Sequence, residues 1–137
     1  GKCYQDQNIN VEAFEVNHGE GWMALGYQFT TKDRRIVISG DTTPIDSVIE
    51  LWRGCDLLVH EVYSTEGFFR RPKEWQSYHE NMHTSGAQLA EIAAKVRPKL
   101  VLLTHILLWG STEQELLEEI KQNYDGEVLC GADLGVY

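Results

Sequence analysis

Three apolar runs in this chain each lead into an ionisable residue. IVISGD reaches Asp41, LLVHE reaches His60 and Glu61, and VLLTH reaches His105. Between the runs, apolar residues recur at helical spacing, and this alternation predicts an α/β sheet covered by helices on at least one face. Ligands of such sheets usually bind beyond the carboxyl ends of the strands. We therefore expect Asp41, the His60–Glu61 pair and His105 to share one site.

Apolar patterning and turn residues place the elements. The predicted strands lie at 11–16, 24–30, 35–39, 57–59 and 100–103, followed by two short strands at EVLC (127–130) and LGVY (134–137). Three helix starts carry capping signals: Thr43 before Pro44, Ser85 with Gln88, and Thr112 with Glu115. The segment from Tyr63 to Met82 is polar and aromatic, and it reads as a long loop. We find no internal boundary, so residues 1–137 are expected to form one unit.

Composition narrows the classes of function. The net charge of −9 argues against a broad phosphate-binding surface, because such surfaces depend on Lys and Arg. No apolar run reaches 18 residues, so we expect no membrane span. The cysteines are odd in number, and we expect Cys55 and Cys130 to be buried thiols rather than part of a disulfide framework. The chain starts without Met, which fits processing or a piece of a longer protein; the compartment stays open, with the cytoplasm weakly favoured and a signal upstream of Gly1 an alternative.

His18, Asp41 and His105 are the candidate metal ligands. His18 lies in the loop VNHGEG, Asp41 in SGDT, and His105 directly after an apolar run. Imidazole and carboxylate together suit zinc or a similar metal, and a carboxylate can bridge two ions. A helix cap or turn is the alternative role for Asp41, because SGDTTP is also a good loop before a helix. That alternative leaves the ionisable ends of the other two runs unexplained.

Six short motifs in order, HG, GY, SGDT, LLVHE, HTS and THIL, resemble the second half of a metallo-β-lactamase-fold hydrolase of the ribonuclease Z and arylsulfatase-like branch. The resemblance runs from about Val11 to Tyr137. It implies that residues 1–137 are the C-terminal half of an αββα sandwich, a mixed sheet with helices on its outer face. The HxHxDH signature of that family, which supplies four further ligands, is absent from these residues. We therefore expect it upstream of Gly1.

The resemblance also implies roles for single residues. It makes His18 a metal ligand, Asp41 the carboxylate that bridges two metals, and His105 the last ligand. Glu61 would orient His83, which would act as general acid or stabilise charge in the transition state. His60 is expected to be structural. Trp22, Trp109 and His79 are the candidates for a substrate pocket, with Phe68, Phe69 and Trp75 as further loop aromatics.

The implied cofactor is a pair of zinc ions, with manganese or iron as alternatives, that turn a bridging water into hydroxide at neutral pH. The expected substrate is a small phosphodiester, sulfate or other ester. The alternatives are transfer-RNA 3′ processing, and a non-catalytic fragment or assembly module. The charge, and the lack of a long arm between Tyr27 and Ser39, count against nucleic acid as a partner. Half of a sandwich would expose one apolar sheet face, so we expect the missing N-terminal half or a second copy to cover it.

Overall fold

The computed structural model describes residues 1–137 as one seven-stranded sheet in which the strands lie side by side in chain order. The strands are β1 (Lys2–Gln5), β2 (Ile9–Val16), β3 (Ala24–Thr31), β4 (Arg35–Ile38), β5 (Leu57–Tyr63), β6 (Leu100–Leu107) and β7 (Val128–Cys130). Pairing is antiparallel from β1 to β4 and parallel from β4 to β7. The predicted mixed α/β sheet is confirmed.

Helices connect the parallel strands. They are a 3₁₀ turn (Asp46–Val48), α1 (Ile49–Trp52), α2 (Thr65–Phe69), α3 (Lys73–Glu80), α4 (Gly86–Val96) and α5 (Glu113–Lys121). Both predicted capping boxes are confirmed: the Ser85 and Thr112 hydroxyls accept from backbone N–H groups three residues on, and Gln88 and Glu115 bond back to the caps. None of these helices is long and apolar enough to cross a membrane.

The prediction that a helix starts at Thr43 is wrong. The chain stays extended through Ile45 and turns only at Asp46. Asn17 binds Thr43 twice instead: the Thr43 hydroxyl accepts a hydrogen bond of 2.7 Å from the Asn17 side chain, and the Thr43 N–H donates one of 2.7 Å to the Asn17 carbonyl. A partner in the loop after β2 therefore overrides a local capping signal.

Two other predictions of local structure are also wrong. The segment between Tyr63 and Met82 is not a loop, because it contains α2 and α3. The Ser64 side chain caps α2 by accepting from the Gly67 N–H, and α3 has few apolar residues, with only Gln76 buried. The C-terminal LGVY forms no strand, and Leu134 within it is fully exposed with a left-handed φ of 62°.

β5 and β6 run further than predicted, so His60, Glu61 and His105 lie inside strands rather than after them. Glu61 pairs with Thr104 and Val62 pairs with Ile106, which leaves His105 as the extra residue of a β-bulge. His105 has a φ of 42°, a left-handed conformation that is uncommon outside glycine. The bulge therefore changes the direction of the His105 side chain relative to a regular strand.

The two faces of the sheet are buried to different extents. One face, the helix face, carries the fully buried Val37, Leu58 and Val101, which pack with α1, α4 and α5 in two apolar clusters. The other face, here called the open face, carries one row of apolar residues in register across five strands: Tyr27, Ile38, Val59, Leu102 and Leu129. Tyr27, Ile38 and Leu129 are 38%, 37% and 38% exposed. The open face is therefore an apolar surface only partly removed from solvent.

All three cysteines are free thiols, as expected for a chain without a disulfide framework. Cys55 is fully buried, as predicted, whereas Cys130 is only half-buried because it lies at the end of the edge strand β7. Burial raises the pKa of each of these two thiols to about 11, so both stay protonated at neutral pH.

Candidate metal and catalytic site

Asp41 is placed by a tight turn after β4. Gly40 has a φ of 65°, and a Cβ on it would lie 2.8 Å from the carbonyl oxygen of Leu25, so only glycine fits there. The turn brings an Asp41 carboxylate oxygen to 3.7 Å from Nε2 of His105. The expectation that Asp41 and His105 lie close together is met.

His18 lies in the loop between β2 and β3, and a backbone carbonyl fixes the orientation of its ring. Its Nδ1 is 2.7 Å from the carbonyl oxygen of Met82. A carbonyl can only accept, so Nδ1 is the donor in this contact and Nε2 is the nitrogen that faces away from it. Backbone support of this kind on one ring nitrogen is common for a histidine whose other nitrogen binds metal. The Trp22 indole donates to the His18 carbonyl at 2.8 Å and holds the same loop.

Glu61 is fully buried and organises the segment that contains His83. Its Oε1 accepts backbone N–H bonds from Thr42 at 3.0 Å and from Thr84 at 3.1 Å, and it lies 3.2 Å from Nδ1 of His83. These partners come from the loop after β4 and from the start of α4, so one carboxylate links both to β5. Nε2 is then the nitrogen of His83 that remains for chemistry.

The histidine rings form a continuous group. The His83 ring lies 5.1 Å from the His18 ring and 5.3 Å from the His105 ring, and it is stacked on the latter. His60, in contrast, points into the helix face, where its ring edge meets Trp52 at 5.7 Å and burial lowers its pKa. The structure therefore separates His60 from the other histidines, and the expectation that the His60–Glu61 pair shares the site is wrong for His60 and met for Glu61.

The donor set fits a metal ion. Ligand atoms of His18, Asp41 and His83 all lie within 4.8 Å of one another, and so do those of Glu61, His83 and His105. Imidazole nitrogens and carboxylate oxygens are among the usual protein ligands of zinc. His83 belongs to both groups, so the geometry is compatible with a ligand role as well as with the predicted acid role.

Of the predicted pocket residues, His79 and Trp109 lie beside His83. His79 packs against Trp109 at 4.4 Å between ring centroids and against His83 at 5.7 Å, and its pKa is lowered by burial first and then by the charges of His83 and Arg71. Phe68 and Trp75 lie in α2 and α3 rather than in loops, and Phe68 is buried. Arg71, which contacts Trp109, is not among the predicted site residues.

A mixed sheet with helices on one face and a histidine–carboxylate cluster at the carboxyl ends of its parallel strands defines an α/β protein with a candidate metal centre. Residues 3–106 match the family model described as the β-lactamase superfamily domain, and the chain belongs to that family.

Curated relatives carry the name ribonuclease Z. That of Haloarcula marismortui is 34% identical over 101 residues, which are 73% of this chain and 30% of the relative. That of Methanosarcina acetivorans is 37% identical over 98 residues, or 71% of this chain and 30% of the relative. The chain thus spans about a third of the length of these relatives.

Solved structures share the fold. The metallo-β-lactamase fold protein YhfI from Bacillus subtilis superposes with a TM-score of 0.76 at 19% identity, over 96% of this chain and 49% of that one. Human tRNase Z, short form, superposes with a TM-score of 0.63 at 24% identity, over 95% of this chain and 43% of that one. The predicted metallo-β-lactamase fold is confirmed.

Proposed function

We propose that the intact protein is a metal-dependent hydrolase of phosphodiesters or other small esters, with two zinc ions held in part by His18, Asp41 and His105. The observation that carries the proposal is that Asp41 lies close to both histidines: its ligand atom is within 4.8 Å of that of His18, and a carboxylate oxygen is 3.7 Å from Nε2 of His105. Manganese or iron would suit the same ligands. With only part of a ligand set, the 137-residue chain alone is expected to bind metal weakly.

The chain's own residues would contribute binding and proton transfer. When bound, the metal ions polarise the substrate and lower the pKa of water, which makes it a nucleophile at neutral pH. His83, held through Nδ1 by Glu61, would present Nε2 to the departing oxygen and donate a proton to it. His79 and Trp109 would form an apolar wall beside His83 and limit the access of water from that side.

A second candidate is the 3′ processing of transfer RNA. It is favoured by the names of the relatives, ribonuclease Z and tRNase Z, and these names argue against our expectation that nucleic acid is not a partner. The net charge of −9 argues the other way for this part of the protein. Both candidates would use the same residues, and for a phosphodiester substrate they differ only in the size of the substrate.

Metal removal tests the proposal. We expect the intact protein to hydrolyse bis(p-nitrophenyl) phosphate, to lose that activity on dialysis against a chelator, and to regain it with zinc. Asp41→Ala should stay inactive after zinc is added, whereas Asp33→Ala, in the exposed turn after β3, should behave as the parent protein. A precursor transfer RNA assayed in parallel separates the two candidates. Activity that survives chelation, or an active Asp41→Ala protein, would contradict the proposal.

A further inference from the structure

Arg71 is the one arginine whose side chain donates no hydrogen bond to another residue of the chain. The other five arginines each donate a side-chain hydrogen bond, and three of them form ion pairs with carboxylates. Arg71 takes part in no ion pair, and its buried Nε has no partner. In a chain with 21 acidic residues, an arginine with neither an acidic partner nor a hydrogen-bond acceptor needs an explanation.

The Arg71 side chain is nevertheless fixed in place. Its guanidinium carbon lies 5.6 Å from the ring centroid of Trp75 and 5.6 Å from that of Trp109. Stacking on aromatic faces restrains a guanidinium without using the N–H groups along its edge. Arg71 is therefore a positioned cation, and no residue of the chain uses the terminal N–H groups of its guanidinium.

Trp109 joins this cation to the candidate site. Its backbone is left-handed, with a φ of 43°, which is a strained conformation for so large a residue. The residue after Trp109 is fixed by a hydrogen bond of 2.7 Å that Arg70 donates to the Gly110 carbonyl. In this conformation the indole contacts both Arg71 and His79, and His79 contacts His83. Arg71 thus lies at the far end of an aromatic wall that starts beside the proposed proton donor.

We propose that Arg71 binds a second phosphate group of the substrate, so that preferred substrates carry a phosphate next to the ester that is hydrolysed. The planar guanidinium can bind two phosphate oxygens at once, and charge-assisted bonds of this type are strong. The inference rests on the proposed function, because the second phosphate is defined relative to the ester that reacts near His83. It adds a substrate requirement that the metal cluster alone does not impose.

Phosphate binding to the chelated, intact protein is the first test, and it does not require activity. Trp75 and Trp109 flank Arg71, so inorganic phosphate should change the tryptophan fluorescence. Arg71→Gln should raise the apparent Kd about 10-fold or more, the effect of losing hydrogen bonds to a charged group. Arg34→Gln, which removes an exposed arginine from the β3–β4 turn, should leave the Kd unchanged. A parent protein that fails to bind phosphate, or an Arg71→Gln protein that binds it equally well, would overturn the assignment.

Kinetics on paired substrates is the second test. The p-nitrophenyl ester of thymidine 5′-monophosphate carries one phosphate, and its 3′-phosphorylated form carries two. Arg71→Gln should raise KM about 10-fold to 100-fold for the second substrate only, with kcat nearly constant. Arg71→Lys should recover part of the loss, because it keeps the charge without the planar edge. Equal KM changes on both substrates would contradict the role. If neither substrate is hydrolysed, the proposed function fails, and the fluorescence titration still decides whether Arg71 binds phosphate.

Discussion

Replacing His83 with alanine in the intact protein is expected to lower kcat about 10²-fold to 10⁴-fold while bound metal stays nearly constant. The reason is the orientation of the ring. Oε1 of Glu61 lies 3.2 Å from Nδ1 of His83, so Nε2 is the nitrogen that faces the substrate as a proton donor. Steady-state kinetics on bis(p-nitrophenyl) phosphate gives kcat, and mass spectrometry of the purified protein gives its metal content.

Glu61→Gln is the companion variant. It keeps an oxygen that can accept from the backbone of Thr42 and Thr84, but it removes the charge beside His83. We expect a smaller loss of kcat and a displaced pH profile, with an unchanged melting temperature as the control for folding. Loss of metal from His83→Ala would make His83 a ligand, and unchanged turnover would remove it from the chemistry.

Placing a charge on the open face is expected to affect the intact protein and the isolated chain differently. Ile38 and Val37 are neighbours on β4, with Ile38 37% exposed on the open face and Val37 fully buried on the helix face. If the rest of the protein covers the open face, Ile38→Asp buries an unpaired charge and should lower the free energy of unfolding of the intact protein by about 3–5 kcal/mol. In the isolated chain the same change should cost far less.

Val37→Asp is the matched control, because it should destabilise both forms. Urea unfolding measures the two differences, and sedimentation adds an independent result. The unmodified 137-residue chain should self-associate through the apolar row on its open face, and Ile38→Asp should shift it toward monomer. An isolated chain that is monomeric without the substitution, together with equal effects of Ile38→Asp in both forms, would show that nothing covers this face.

Elements whose signals are local were predictable from the sequence. The capping boxes at Ser85 and Thr112 could be predicted because both partners lie within four residues. The same reasoning failed at Thr43, where Asn17, 26 residues away, takes the hydroxyl. A capping prediction based on neighbouring residues is therefore reliable only where no residue distant in sequence binds the capping side chain.

The candidate site also combines features that could be predicted from the sequence with features that could not. The approach of Asp41 to His105 was expected, because parallel strands bring their carboxyl ends to one edge of the sheet. The bulge at His105 was not predictable, since it depends on how β6 pairs with β5. Arg71 was missed because its environment is completed by Trp109, far along the chain. The roles of these residues remain predictions.

The metal centre itself can be located by anomalous X-ray diffraction at the zinc edge from crystals of the intact protein. We predict two peaks about 3.5–4 Å apart. Nε2 of His18, an Asp41 oxygen and a His105 nitrogen should each lie about 2.0–2.2 Å from a peak. The Asp41 carboxylate should contact both. Peaks that lie elsewhere, or a zinc centre that excludes Asp41 and His105, would contradict the account.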